Sequence, residues 1–204
     1  MITTYLDLET ACLAQEIGGW TALKEQGGGG IPALVTISEA DMMRYSDAGV
    51  LQYEQGTIPH PIQLWDDATL EGCIDYLETI DRLITFNGIE FDIPVLSARA
   101  GRRVNVREHV DILQLIWKAL GKRQKGYKLN DLAQRMLGRT KLYCGTMAPQ
   151  LAREGRFAEL FQYCMNDVEL TRDLWHTITD SGCVIRPDGG ALEVWKGTGC
   201  EQEA

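Results

Sequence analysis

Soft metal ligands are scarce in this 204-residue chain. Histidine occurs three times, at His60, His109 and His176, too scattered to form a ligand pattern. The six cysteines, Cys12, Cys73, Cys144, Cys164, Cys183 and Cys200, contain no CxxC and no paired framework. That spacing argues against a structural zinc site or a disulfide scaffold and for reduced thiols in a cytosol. No apolar run approaches the roughly 20 residues a membrane helix needs, and the opening Met-Ile-Thr-Thr-Tyr has no basic leader. The expectation is a cytoplasmic protein without membrane contact. Gly27–Gly30 has no GK[ST] or GxGxxG context, so the four glycines read as a flexible connector rather than a phosphate grip.

What is present is ordinary for a soluble globular protein. An apolar fraction of 45% over 204 residues is enough for one full hydrophobic core. The net charge of −9 at first opposes a polyanionic partner, but its distribution is uneven. Residues 99–141 hold 12 of the 20 Lys and Arg against three acids, a local balance of +9 that leaves −18 for the remainder. Such asymmetry fits either a basic phosphate-contacting surface or a solvated helical face.

Periodicity supplies the elements. Strands are expected from Ile2 to Glu9, over Ala33–Ser38 and Val50–Tyr53 as a meander, over Arg82–Phe86, and briefly at His109–Asp111. Helical spacing covers Trp20–Gln26, Asp66–Asp81 with Asp66 or Asp67 as cap, and a segment around Pro94 that stops at Gly101. Further helices are expected from Asp111 as cap to Leu120, over YKLNDLAQRMLG, over Pro149–Glu154, and from Phe157 to Thr179. That order predicts an α/β domain over residues 1–181: a mixed β-sheet, antiparallel on one side and joined by helical crossovers on the other, flanked by helices. Residues 182–204 read as a C-terminal tail with a hairpin around Asp188–Gly190.

The chemistry is carried by acids. In TTYLDLET, the alternation of a strand sends Asp7 and Glu9 to one face, their Cα atoms roughly 6.6 Å apart. Two ionised carboxylates that close repel, and burial makes each costlier. Asp92 follows the strand ending in TFNGIEF, where Asn87 and Gly88 supply turn geometry. Asp167 and Tyr163 lie four residues apart on the longest helix and share one face.

YLDLET, NGIEFD and YCMND together resemble the DxE, NxxxFD and YxxxD motifs of the DEDD 3′–5′ exonuclease superfamily, which includes polymerase proofreading domains and ribonuclease D. The tyrosine variant is indicated, since the histidine variant wants His where this chain has Gln162. The overall impression is closest to small YprB-like stand-alone domains. The resemblance spans residues 5–167 and leaves the glycine run and the tail unexplained. It implies a ribonuclease H-like fold, with Asp7, Glu9, Asp92 and Asp167 holding two divalent cations, Mg²⁺ or Mn²⁺. Tyr163 would then orient the attacking water. The expected substrate is the 3′ end of single-stranded DNA or RNA, released as nucleoside monophosphates. Thr10, Leu13, Asn87 and Phe91 become candidate substrate contacts beside the motifs, although Phe91 and Asn87 also suit core and turn roles. Lys118, Lys122, Arg123, Lys125 and Lys128 are candidates for backbone phosphates. Asp111 is a helix cap before it is a fifth acid. Two alternatives stand beside the exonuclease: an endonuclease of the same fold, and a nucleic-acid-binding module without chemistry.

Overall fold

The computed structural model describes residues 1–40, 62–142 and 146–196. Its centre is β1 (Ile2–Glu9), which pairs antiparallel with β2 (Ala33–Ala40) along its whole length. β2 in turn pairs antiparallel with β3 (Ile62–Trp65). On its other side β1 runs parallel to β4 (Arg82–Thr85), and β4 parallel to β5 (Glu108–Asp111), giving the order β3-β2-β1-β4-β5. The expected mixed sheet is therefore present. The third strand of the meander is Ile62–Trp65; the expected strand at Val50–Tyr53 lies outside the described residues, as do Cys144 and Cys200.

Helices cover both faces. One core layer joins Leu6, Leu8 and Leu83 of the sheet to α2 (Leu70–Thr79) and α3 (Asp92–Ala100), through Ile74, Leu77, Val95 and Leu96. The other joins Tyr5, Val35 and Ile84 to α4 (Ile112–Leu120), α5 (Leu129–Leu137), α6 (Met147–Arg153) and the long α7 (Phe157–Ser181). A short α1 (Trp20–Glu25) precedes the glycine run. β6 (Cys183–Ile185) and β7 (Ala191–Glu193) form the expected hairpin. Val184 and Leu192 bury into the α7 layer, and Trp195 meets Trp175 edge-on at 4.8 Å between centroids.

Three local expectations fail for identifiable reasons. Asp66 does not cap α2. Its carboxylate closes a turn ahead of the helix by accepting the Ala68 and Thr69 amides, while Asp67 binds Arg99 and the Ile31 amide. Nor is Gly27–Gly30 a loose connector. Gly27–Gly29 forms a 3₁₀ turn, Gly27 and Gly28 are buried, and the run hydrogen-bonds back to Ala11 and Cys12. At Gly28 the φ of +69° and the 2.5 Å that would separate a Cβ from the Thr10 Cγ2 leave room for glycine alone. Packing density that no periodicity reveals holds this turn.

The basic stretch is also not an open patch. Arg102 bridges Glu71, Asp75 and Glu78 of α2; Arg99, Arg107 and Arg139 pair with Asp67, Asp81 and Asp173. Six of the segment's twelve cations are thus met by acids brought from elsewhere in the chain, Arg123 by Glu90 and Lys141 by Asp167 among them. Arg103, Lys118, Lys122, Lys125 and Lys128 make no ion pair among the described residues.

Candidate active site

The two faces of β1 decide where its acids go. Tyr5 is buried against α7, and Asp7 and Glu9 follow it on the same face, whereas Leu6 and Leu8 enter the opposite core layer. On α7, Leu160, Cys164 and Val168 are fully buried, and Tyr163 and Asp167 stand one turn apart on the adjoining row. The Cys164 thiol donates to the Asp7 carbonyl oxygen at 3.2 Å, fixing helix to strand at the level of the acids. The Asp7 and Glu9 carboxylates and the Cys164 sulfur have ligand atoms within 4.8 Å of one another.

Asp92 arrives from the other side of β1. β4 pairs only with Thr3–Tyr5, and beyond that pairing the Leu8 amide donates to the Asp92 carboxylate. The turn that delivers Asp92 is built by Asp111. Its carboxylate accepts the amides of Asn87 at 2.9 Å and Ile89 at 3.0 Å while capping α4 through Leu113 and Gln114. Asn87 sits at φ 71°, and a Cβ on Gly88 would lie 2.4 Å from the Thr85 hydroxyl oxygen. Asp111 is thus a cap and a turn organiser, and Asn87 and Gly88 are the backbone hinge of the motif.

The floor so formed is electrostatically loaded. Burial first, then the neighbouring Asp167, Asp92 and Glu9, pushes the Asp7 carboxyl well above the usual range. Burial and Asp167 do the same to Glu9. Asp92, 2% exposed, is pushed up to about 7 by burial and by Asp111. Among the described residues, the ammonium that pairs with them is Lys141, which binds Asp167 and lies 5.5 Å from the Tyr163 ring centre. Burial alone would lower the Lys141 pKa, but Asp167, Asp7 and Glu9 outweigh it and hold the charge in place. Burial and the acids keep the Tyr163 hydroxyl protonated far above neutral pH.

Among the described residues Lys141 alone pairs with these four acids, which leaves the carboxylates under-compensated. Asp92 Oδ1 and Asp167 Oδ1 are buried without a hydrogen-bond partner. Unpaired buried carboxylate oxygens are costly, and this set of hard oxygen donors suits a divalent cation such as Mg²⁺ or Mn²⁺. The residues present therefore fit a metal.

These acids line a cleft of about 570 Å³. Its lining also includes Thr10, Leu13, Ala14, Trp20, Leu23 and Lys24 around the first motif, and Phe86, Asn87, Glu90, Phe91 and Arg123 around the second. Of the residues expected at the site, the structure brings together Asp7, Glu9, Asp92, Tyr163, Asp167, Thr10, Leu13, Asn87 and Phe91. Lys122 and Lys125 are exposed and lie outside the cleft lining; Arg123, between them, is part of it. Thr10 points its hydroxyl to the Cys12 carbonyl, so it braces the wall. Trp20, Lys24 and Lys141 escaped the sequence reading. Lys141 lies in irregular chain after α5, and no local pattern announces it. A second hollow of about 370 Å³ between α3 and β5 contains no carboxylate.

The RNase H superfamily matches residues 47–179, well over half of the chain. The chain belongs to the RNase H superfamily. The match takes in Asp92, Tyr163 and Asp167 but begins after Asp7 and Glu9. No curated protein matches. Among solved structures, the family B DNA polymerase from the hyperthermophilic archaeon Pyrobaculum calidifontis is similar with a TM-score of 0.58 at 15% identity. The likeness covers 87% of this chain and 24% of the polymerase, so this chain spans about a quarter of that one's length. At that identity the likeness is one of fold. Among the described residues no helix is long and apolar enough to cross a membrane.

Proposed function

We propose that this RNase H superfamily member is a metal-dependent 3′–5′ exonuclease that hydrolyses terminal phosphodiester bonds of single-stranded nucleic acid and releases nucleoside monophosphates. The observation that carries the reading is the convergence of Asp7, Glu9, Asp92 and Asp167 on one cleft beside Tyr163. Asp7, Glu9 and Asp167 would hold one divalent cation, and Asp7 with Asp92 a second. When bound, Mg²⁺ or Mn²⁺ supplies a water acidic enough to attack near neutral pH and neutralises charge on the phosphoryl oxygens. The protein's own groups do the rest. Asp7, on a central strand braced by Cys164, would fix where the cations sit and so where the reacting phosphate enters. Tyr163, protonated at any physiological pH, orients the attacking water as a hydrogen-bonding group and does not serve as a base. The water gives up a proton to solvent as its oxygen bonds to phosphorus, the bond from phosphorus to the 3′ oxygen breaks, and that oxygen takes up a proton from solvent to leave as the new 3′ hydroxyl.

The endonuclease alternative needs the acids but not the Tyr163–Asp167 pair on α7, and that pair favours the exonuclease. The test uses 5′-labelled linear and closed-circular single strands with Mg²⁺ or Mn²⁺. Linear substrates should shorten one nucleotide at a time and circles should survive; cut circles overturn strict end dependence. Tyr163→Phe should slow turnover about 10- to 100-fold with metal affinity unchanged. A fully active Tyr163→Phe removes the water-positioning role. Binding without any Mn²⁺-stimulated degradation would instead identify a silent binding module.

A further inference from the structure

Trp20 is the most exposed large apolar side chain among the described residues, at 68%, yet it lines the cleft that holds the acids. A single exposed apolar residue is ordinary; this one is mounted. It opens α1, a helix anchored by the buried Leu23 and packed on α3 and the buried glycine turn. Beneath it Phe91 meets the indole edge-to-face, with ring centres 6.0 Å apart and planes at 77°. That contact props the indole from one side and leaves most of its surface to solvent. Lys24, four residues on and about 6 Å along the helix axis, lines the same cleft. One short helix thus offers a flat aromatic surface and an ammonium side by side, the two chemistries with which a protein holds the base and the phosphate of an unpaired nucleotide.

We propose that Trp20 and Lys24 form a nucleotide-binding shelf that carries the single strand into the acid cleft, Trp20 stacking on a base upstream of the scissile bond and Lys24 contacting the adjacent phosphate. This inference rests on the nuclease reading for its substrate class. It moves the strand's path away from Lys122 and Lys125, which lie outside the cleft, and onto the wall formed by α1. Arg123, also in the cleft lining, pairs with Glu90 and stacks on the Trp117 ring at 4.6 Å, which holds a second cation at the rim. Stacking on an indole is indifferent to base identity, because every base has a π-face, so the shelf selects unpaired over paired strands and not one sequence over another.

The experiment measures binding of fluorescein-labelled oligothymidylate, and of the same oligomer with abasic sites, by anisotropy in Ca²⁺. Trp20→Ala should weaken oligothymidylate binding at least tenfold and leave abasic binding unchanged, so that the preference for intact bases collapses; Trp20→Phe should restore most of it. Lys24→Ala should weaken both oligomers a few-fold and flatten the salt dependence, whereas a Lys122→Ala/Lys125→Ala double variant should bind as wild type. Equal oligothymidylate affinity for wild type and Trp20→Ala overturns the shelf, as does loss confined to the Lys122/Lys125 variant. Mn²⁺-dependent degradation by wild type with Trp20→Ala binding normally sinks the shelf alone. Binding that depends on Trp20 without degradation sinks the nuclease reading and leaves the shelf standing. Absence of any nucleic-acid binding by wild type overturns both.

Discussion

The floor and the rim of the cleft are built on different principles. The floor acids sit on a central strand, at the start of α3 and on the longest helix, each held by neighbours that have their own reasons to be there. The rim rests on a six-residue helix, two 3₁₀ turns and side chains such as Arg123 that reach in from loops. The floor is built on long regular elements and is electrostatically frustrated; the rim is built on short turns and carries little buried charge. An active centre that must hold a phosphate to within fractions of an ångström needs the first kind of support. A surface that feeds successive nucleotides tolerates the second.

The largest effects should come from the floor. Asp92→Asn keeps the shape of the side chain and removes its charge, so turnover should fall at least 10³-fold and cation affinity with it, measured by single-turnover hydrolysis and calorimetric Mn²⁺ titration. The same frustration gives the metal-free protein a pH signature. Asp92 titrates near 7 in the fold against about 3.9 in an unfolded chain. Between those values the folded state binds more protons than the unfolded one, so stability falls as pH rises through 7. Asp7 and Glu9, also raised, add to that slope. In EDTA the Tm should drop between pH 5.5 and pH 8, and saturating Mn²⁺ should flatten or reverse the drop, because the cation replaces the protons. A metal-independent Tm profile would mean that the acids are compensated from within the protein.

The contrast between floor and rim also explains what the sequence made visible. Asp7 and Glu9 could be placed together because a strand has a period of two, and Tyr163 and Asp167 because a helix brings i and i+4 together. Asp111 could be read as a cap from its place before Ile112. These are short-range rules applied to regular elements. Lys141 could not be found that way, since its pairing with Asp167 spans irregular chain, and neither could the neutralisation of Arg102 by three acids of α2. Charge counted along the chain suggested a basic surface; located in space, half of the twelve cations are paired with acids from other segments. The strand assigned to β3 depended on which of several apolar stretches pairs with Leu34–Ile37, and register is a tertiary fact.

Next in size is a change where rim and floor meet. Gly28 abuts the Thr10 side chain, and Thr10 follows Glu9 directly. Gly28→Ala must accept a Cβ at φ +69° and displace Thr10, which together should cost about 2–4 kcal/mol. The measurable result is a lowered denaturation midpoint with an unchanged m value. A nearly wild-type midpoint would show that the glycine turn yields easily, as the bare sequence suggested.

The smallest effect belongs to a tie across the rim. Glu16 accepts the Leu13 amide at 2.7 Å and two contacts from Arg153 of α6 at 2.9 and 3.0 Å, joining the wall that bears Leu13 to a helix 137 residues away in sequence. Both partners are substantially exposed, so water and salt screen the pair and Arg153→Ala should leave the Tm within about 2 °C of wild type. Its consequence for function is expected to differ in kind from that of the floor variants. Loosening the Leu13 wall leaves the acids in place, so KM for single-stranded substrate should rise a few-fold while kcat stays constant. A fall in kcat would mean that the rim is coupled to the floor through the 13–16 turn, and the division between a reaction centre and a separate approach would no longer describe this cleft.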